Sequence, residues 1–124
     1  MIIGIGIDIA DKKRFARADE KLGDRFFEKI FLPDEIAESR SLEDAHRAFA
    51  ERFAAKEAIL KALGYGLDKG ASFREIEIVE SFQGKAILHG KVRQIARDKG
   101  ITDVLLTISR EDDLAIAVAV LERN

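Results

Sequence analysis

SLEDAHRAFAERFAAKEAILKAL, residues 41–63, is the stretch on which the fold turns. Leu42, Ala45, Phe49, Phe53, Leu60 and Leu63 recur at helical spacing, and no glycine or proline interrupts them before Gly64. Ser41 with Asp44 three residues later resembles a capping-box opening, so the spacing predicts a long helix from Leu42 to about Leu63. Lys56 falls near the middle of the apolar stripe, Glu57 borders it, and Lys61 lies four residues on, beside Glu57. An unpartnered buried ion costs several kcal/mol, in order of magnitude. Two readings follow: residues 52–61 face a polar pocket, or Glu57 and Lys61 form a solvated pair while Lys56 reaches outward.

Working outward, Ile2 to Ile9 alternates at period two, a strand signature. Ile3, Ile5, Ile7 and Ile9 form a face that wants a core. Gly4 and Gly6 clear the other face for a backbone or a ligand, with Asp8 at its end. Asp8 either caps the following helix or serves as a metal-binding carboxylate. From about Asp11 the pattern is helical: Phe15, Ala18 and Leu22 share one side, Arg14, Arg17 and Lys21 follow a second stripe, and Gly23 is the stop. Phe26, Phe27, Ile30, Phe31 and Leu32 make a short amphipathic segment, and Pro33 suits the first turn of a short helix over Asp34–Glu38. Beyond the long helix, Gly64, Gly66 and Gly70 make a loop. Phe73–Glu80 and Lys85–His89 read as strands around a Gln83–Gly84 turn, Val92–Lys99 as a helix ended by Gly100, and Val104–Ser109 and Leu114–Leu121 as the last strands, flanking a charged turn at 110–113. The order predicts an α+β fold: a compact single domain, 1–124, with a mainly antiparallel sheet and one long central helix.

The bulk numbers agree with one core, since 124 residues are enough for one and too few for two. With 47% hydrophobic and 35% charged residues the chain reads as globular, not disordered. A net charge of −2 argues against general nucleic-acid binding, and the lack of cysteine excludes disulfides, thiol nucleophiles and Cys-type zinc sites. The apolar N-terminus has no basic flank and meets Asp8 early, so no signal peptide is expected, and no run approaches a membrane span. A cytoplasmic protein is the expectation. His46 and His89 are expected on the surface.

Gly4-Ile-Gly-Ile-Asp8-Ile9, Arg52-Phe-Ala-Ala-Lys-Glu57-Ala-Ile-Leu-Lys61-Ala62 and Ser72-Phe-Arg-Glu-Ile-Glu77-Ile resemble the small 4′-phosphopantetheinyl transferases of the holo-acyl-carrier-protein synthase type. The similarity runs over nearly the whole chain. Gly-x-Gly-x-Asp alone is weak, but its combination with Lys-Glu-Ala-x-x-Lys at this separation is specific. The resemblance implies that Asp8 and Glu57 bind Mg²⁺, that Lys61 lies near the diphosphate of coenzyme A, and that these three residues carry the chemistry. The stripe of Arg14, Arg17 and Lys21, by itself a solvated helix face, becomes in that setting a grip on an acidic acyl carrier protein, an array that Arg25 extends, and the resemblance implies homotrimers that hold coenzyme A between subunits. The Gly64-Tyr65-Gly66 loop, otherwise a plain helix stop, becomes a phosphate contact in that setting. Two positions depart from the pattern. Arg110 stands where a histidine is common, and is expected at coenzyme A through a phosphate. Ala86 stands where a proline is common.

Overall fold

The computed structural model describes residues 1–64, 72–80 and 84–124. Strand β1 (Ile2–Asp11) leads into helices α1 (Lys12–Leu22), α2 (Asp24–Phe27), α3 (Pro33–Ser41) and α4 (Ala45–Leu63). A 3₁₀ turn (Phe73–Glu75) opens the hairpin β2 (Ile76–Glu80) and β3 (Lys85–Leu88). Helix α5 (Gly90–Asp98) and strands β4 (Asp103–Glu111) and β5 (Leu114–Glu122) complete the chain. The strands form a sheet ordered β1-β5-β4 and a separate β2-β3 pair, antiparallel throughout, so the expected fold class holds.

Which face of β1 looks inward is the reverse of the sequence expectation. A Cβ on Gly4 would lie 1.9 Å from the Ala62 carbonyl oxygen, and one on Gly6 1.9 Å from that of Ala58. The glycine lane therefore lies directly on the backbone of α4, and in β5 Ala115, Ala117 and Ala119 keep the same face low. Ile5, Ile7 and Ile9 are left on the outer face, 55–63% exposed. The aliphatic residues want burial, as read, but the close approach of strand to helix can be made only on the side that has no side chains.

Helix α4 is buried on nearly every side: the sheet covers one flank, α1 to α3 another, and β2 lies along it. It begins at Ala45, three residues later than the spacing suggests. Asp44 is its N-cap, accepting from the Arg47 N–H at 3.2 Å, while Ser41 closes α3 and Leu42 is 44% exposed. Similar local chemistry moves other ends. Ser72 and Glu75 cap each other across Phe73–Glu75, which turns that stretch into 3₁₀ instead of strand. Glu75 also accepts from the Lys91 N–H, starting α5 at Gly90. Asp11, not Asp8, caps α1. Leu22 is 51% exposed, so the apolar side of α1 reduces to Phe15 and Ala18. Tyr65, Gly66, Gly70 and Gln83 lie outside the described residues.

Phe15, Phe27, Phe31 and Phe49 are fully buried between α1, α2, α3 and α4, with Phe27 and Phe49 at 4.2 Å between ring centroids. Each buried ring contributes roughly 2–3 kcal/mol. Arg40 covers this cluster and pairs with Asp19 and Asp24, while His46 meets Asp19 at 2.9 Å. His46 is thus half-buried and paired, contrary to the surface expectation; His89 is exposed beside Glu77. No helix among the described residues is long and apolar enough to cross a membrane.

Lys56 resolves one of the two sequence readings. It is fully buried, and its ammonium donates to Glu35 Oε1 (2.7 Å) and to the carbonyls of Ile30, Phe73 and Ile76 (2.7–3.0 Å). Arg52, also fully buried, donates to the Ile78 carbonyl and to Ser39, and the Ile78 N–H donates to Glu35 Oε2. Charged side chains thus satisfy the edge of β2 that, among the described residues, no strand pairs.

Candidate active site

On α4, Phe53, Glu57 and Lys61 follow one another at intervals of four, so they line one side of the helix. Asp8 is the next residue of the glycine lane at period two, which brings it onto the same helix flank. Lys61 Nζ donates to Asp8 Oδ1 at 2.9 Å and to the Ile7 carbonyl at 3.1 Å. Its expected neighbour Glu57 is not its hydrogen-bonding partner; the strand supplies the closer carboxylate. Arg14 comes over from α1, its guanidinium 5.3 Å from the centre of the Phe53 ring.

The electrostatics of Glu57 register the whole group. Burial first, then the charge of Asp8, raises its proton affinity, while Lys61 and Arg14 pull it back. Asp8 is largely covered, at 15% side-chain exposure, whereas Lys61 is half exposed. The result is two carboxylates and two cations gathered at one place on the surface, from β1, α1 and α4. Among the described residues no group of three or more histidine, aspartate or glutamate side chains is arranged to hold a metal ion. A cation at Asp8 and Glu57 would have two protein carboxylates, which suits Mg²⁺: it takes one or two and fills its octahedron with water and phosphate oxygens.

Four of the residues singled out from sequence, Asp8, Glu57, Lys61 and Arg14, thus come together. Arg17, Lys21 and Arg25 are exposed along α1 and α2 and continue away from the cluster. Gly64 is a left-handed helix stop, its N–H bonded back to Leu60 and Lys61. Tyr65 and Gly66 cannot be placed relative to it, being outside the described residues.

Arg110 is elsewhere. Asp8, Ala117 and Ile108 form one row across the sheet; Arg110 lies two residues further along β4, with β5 between it and β1. Its guanidinium makes a forked pair with Glu51 of α4, whose side chain is 3% exposed, and this raises its pKa further. Glu51 escaped the sequence reading; a carboxylate five residues before Lys56 on so apolar a helix was the available signal. A cavity of about 610 Å³ opens beside this pair and Lys12, Asp44 and Arg47, and neither Asp8, Glu57 nor Lys61 lines it.

Comparison with known proteins gives a consistent picture. The family model described as the 4′-phosphopantetheinyl transferase superfamily matches residues 4–119. A holo-[acyl-carrier-protein] synthase of Geobacter sulfurreducens is 40% identical over 99% of both chains. The crystal structure of holo-[acyl-carrier-protein] synthase from Neisseria meningitidis superposes with a TM-score of 0.85 at 38% identity, covering 99% of this chain and 100% of that one. A holo-(acyl-carrier-protein) synthase from Bacillus anthracis, solved in complex with CoA (3′,5′-ADP), has a TM-score of 0.75 at 37% identity, covering 100% and 99%.

Proposed function

This chain belongs to the 4′-phosphopantetheinyl transferase superfamily, and from that premise we propose that it is a holo-acyl-carrier-protein synthase. It moves 4′-phosphopantetheine from coenzyme A to a serine of an apo-acyl-carrier protein and releases adenosine 3′,5′-bisphosphate. The observation that carries the reading is the meeting of Asp8, Glu57 and Lys61, made possible by the glycine lane of β1.

Asp8 and Glu57 fit Mg²⁺. They are hard oxygen donors crowded together, and the strain that burial and Asp8 place on ionised Glu57 is of the kind a divalent cation relieves. When bound, the ion neutralises and aligns the diphosphate of coenzyme A. Lys61, half exposed and already beside Asp8, puts its ammonium at the phosphate oxygens where charge develops. The serine oxygen attacks the phosphorus that bears pantetheine. The bond from that phosphorus to the bridging oxygen breaks, and adenosine 3′,5′-bisphosphate leaves with the electron pair. Glu57, at the place of attack, is also the carboxylate that takes the serine proton. Arg14, Arg17 and Lys21, with Arg25, form the basic face that receives the acidic carrier.

The working unit is a homotrimer. In support, the outer face of the β1-β5-β4 sheet carries Ile5, Ile7 and Ile9 in register with Val120, Val118 and Ile116, and Leu105 on the far side of Val120; the three β1 isoleucines and Leu105 are each more than half exposed. So continuous an aliphatic surface is characteristic of a buried interface. Arg110, which one chain holds away from its own Asp8, then serves coenzyme A on a neighbouring copy. Ile7→Glu is expected to give monomers on size-exclusion chromatography with light scattering, and to lose activity with the trimer.

The deciding experiment is intact-mass spectrometry of an apo-acyl-carrier protein after incubation with this protein and coenzyme A, with and without Mg²⁺. A Mg²⁺-dependent gain of about 340 Da, the composition of one phosphopantetheine group, is expected. Coenzyme A binding without any mass gain on several carriers would overturn the transferase reading.

A further inference from the structure

Among the described residues, several cations that pack against α4 are committed to carboxylates. Lys12 pairs with Asp44, Arg40 with Asp19, Arg47 with Asp44, Arg52 with Glu38, Lys56 with Glu35, Lys61 with Asp8 and Arg110 with Glu51. Arg14 is held differently. No carboxylate among the described residues lies within ion-pair distance of it, yet its guanidinium is over aromatic rings: 5.3 Å from the centre of Phe53 and 6.0 Å from that of Phe15. These distances lie within the range of a cation over a π-face. A ring orients a guanidinium without occupying its N–H donors, so the fork stays available to an incoming carboxylate.

The ring beneath it is itself fixed. Phe53 is 8% exposed and packs at 5.4 Å against both Phe15 and Phe73. Phe73 is anchored through its own carbonyl, which accepts from Lys56 Nζ at 2.9 Å. On α4, Phe53 is one turn before Glu57, and the Arg14 charge reaches Glu57. The sequence stripe assigned Phe53 to the core alone; its outer side is a seat.

We propose that Phe53 is a positioning residue whose ring holds the Arg14 guanidinium beside Glu57, so that the carrier's carboxylates meet a cation already aimed at the reacting serine. This rests on the transferase reading given above and adds a residue to it. Seating Arg14 in advance removes the cost of ordering a long flexible side chain when the carrier binds, so its loss is felt in carrier affinity.

The test is steady-state kinetics with apo-acyl-carrier protein as the varied substrate, on Phe53→Met, Phe53→Leu, Arg14→Ala and the double variant Arg14→Ala/Phe53→Met. Methionine fills much of the same space and removes the π-face; leucine is the second variant should methionine perturb folding, and thermal unfolding monitors both. Phe53→Met is expected to raise the carrier KM by about three- to tenfold. The kcat at saturating carrier and the Kd for coenzyme A with Mg²⁺ should stay within about twofold of the parent. In the Arg14→Ala background the same substitution should add almost nothing, since the seat has no occupant. A KM effect of equal size with and without Arg14, or one shared equally by coenzyme A affinity and kcat, would overturn the seat and leave Phe53 as core packing. If Arg14→Ala itself leaves the carrier KM unchanged, the docking reading falls and the seat with it. An Arg14 effect that Phe53→Met neither reproduces nor absorbs removes the seat alone.

Discussion

Lys56 and Glu57 are adjacent in the chain and opposite in circumstance. Lys56 is wholly buried, with the Glu35 carboxylate and three carbonyls around its ammonium; burial draws its pKa down to about 8 against the support of Glu35. Glu57 is half-buried on the next flank of the helix, pushed toward protonation by burial and by Asp8, and only partly relieved by Lys61 and Arg14. One charge has all its partners within the fold. The other has its electrostatics left open toward whatever arrives from outside. Two ionic clusters on one helix are thus told apart by how complete they are, and the incomplete one is where chemistry is to be sought.

The comparison breaks if the two residues respond alike to removal. Asp8→Asn and Glu57→Gln are expected to lower phosphopantetheine transfer by about 10²–10³-fold while leaving the urea midpoint close to that of the parent. A large loss of stability in either would move it to the Lys56 class. Lys56→Ala should do the reverse first: it leaves Glu35 buried without its cation, and denaturant unfolding should show a loss on the order of 3–5 kcal/mol. Replacing both members, Lys56→Met with Glu35→Leu, should recover little of that loss, since the Leu32 and Ile78 N–H groups and the Ile30, Phe73 and Ile76 carbonyls lose their partners with the pair.

The smallest expected effect sharpens the contrast from a third place. Arg40 hydrogen-bonds to Asp19, and His46 adds to this; together they hold the Asp19 carboxyl down at about 2 against the opposing effect of burial. Because the folded value lies below the unfolded one, 3.8, the pair's contribution is complete above about pH 4 and is lost as pH falls through about 2. The stability difference between the parent and Asp19→Asn should therefore be flat at neutral pH and shrink between about pH 4 and 2 in acid titrations followed by circular dichroism. A difference that stays constant through that window would mean Asp19 is held by packing, not by charge.

Much of this was legible in the residues. The period of β1 and the length of α4 predict the strand and the central helix, the odd placing of Lys56 leaves a polar pocket as one of two readings, and the family motif gathers Asp8, Glu57 and Lys61. What escaped depends on contacts far apart in the chain. Glu35, from α3, is the partner of Lys56, and Glu51 is the partner of Arg110; neither pairing leaves a local pattern. Inside and outside of β1 were reversed because an isoleucine–glycine alternation specifies two faces but not which is wanted close. Hydrophobicity alone favours the isoleucines, whereas the backbone of α4 requires the glycines. The start of α4 was misplaced by one turn because Ser41 and Asp44 are both competent caps, and only the course of α3 decides between them.

The glycine lane also predicts the profile of mutational tolerance along β1. In a library of every substitution scored by growth on enzyme activity, positions 4 and 6 would be as intolerant as position 8. At Asp8 the losses would be graded by chemistry, with glutamate and asparagine separated from the rest. At Gly4 and Gly6 the profile would be flat, alanine scoring as badly as tryptophan, because the first carbon of any side chain already meets the helix backbone. A flat profile marks a contact between two backbones and a graded one marks a side chain wanted for its chemistry, even where both abolish the same activity.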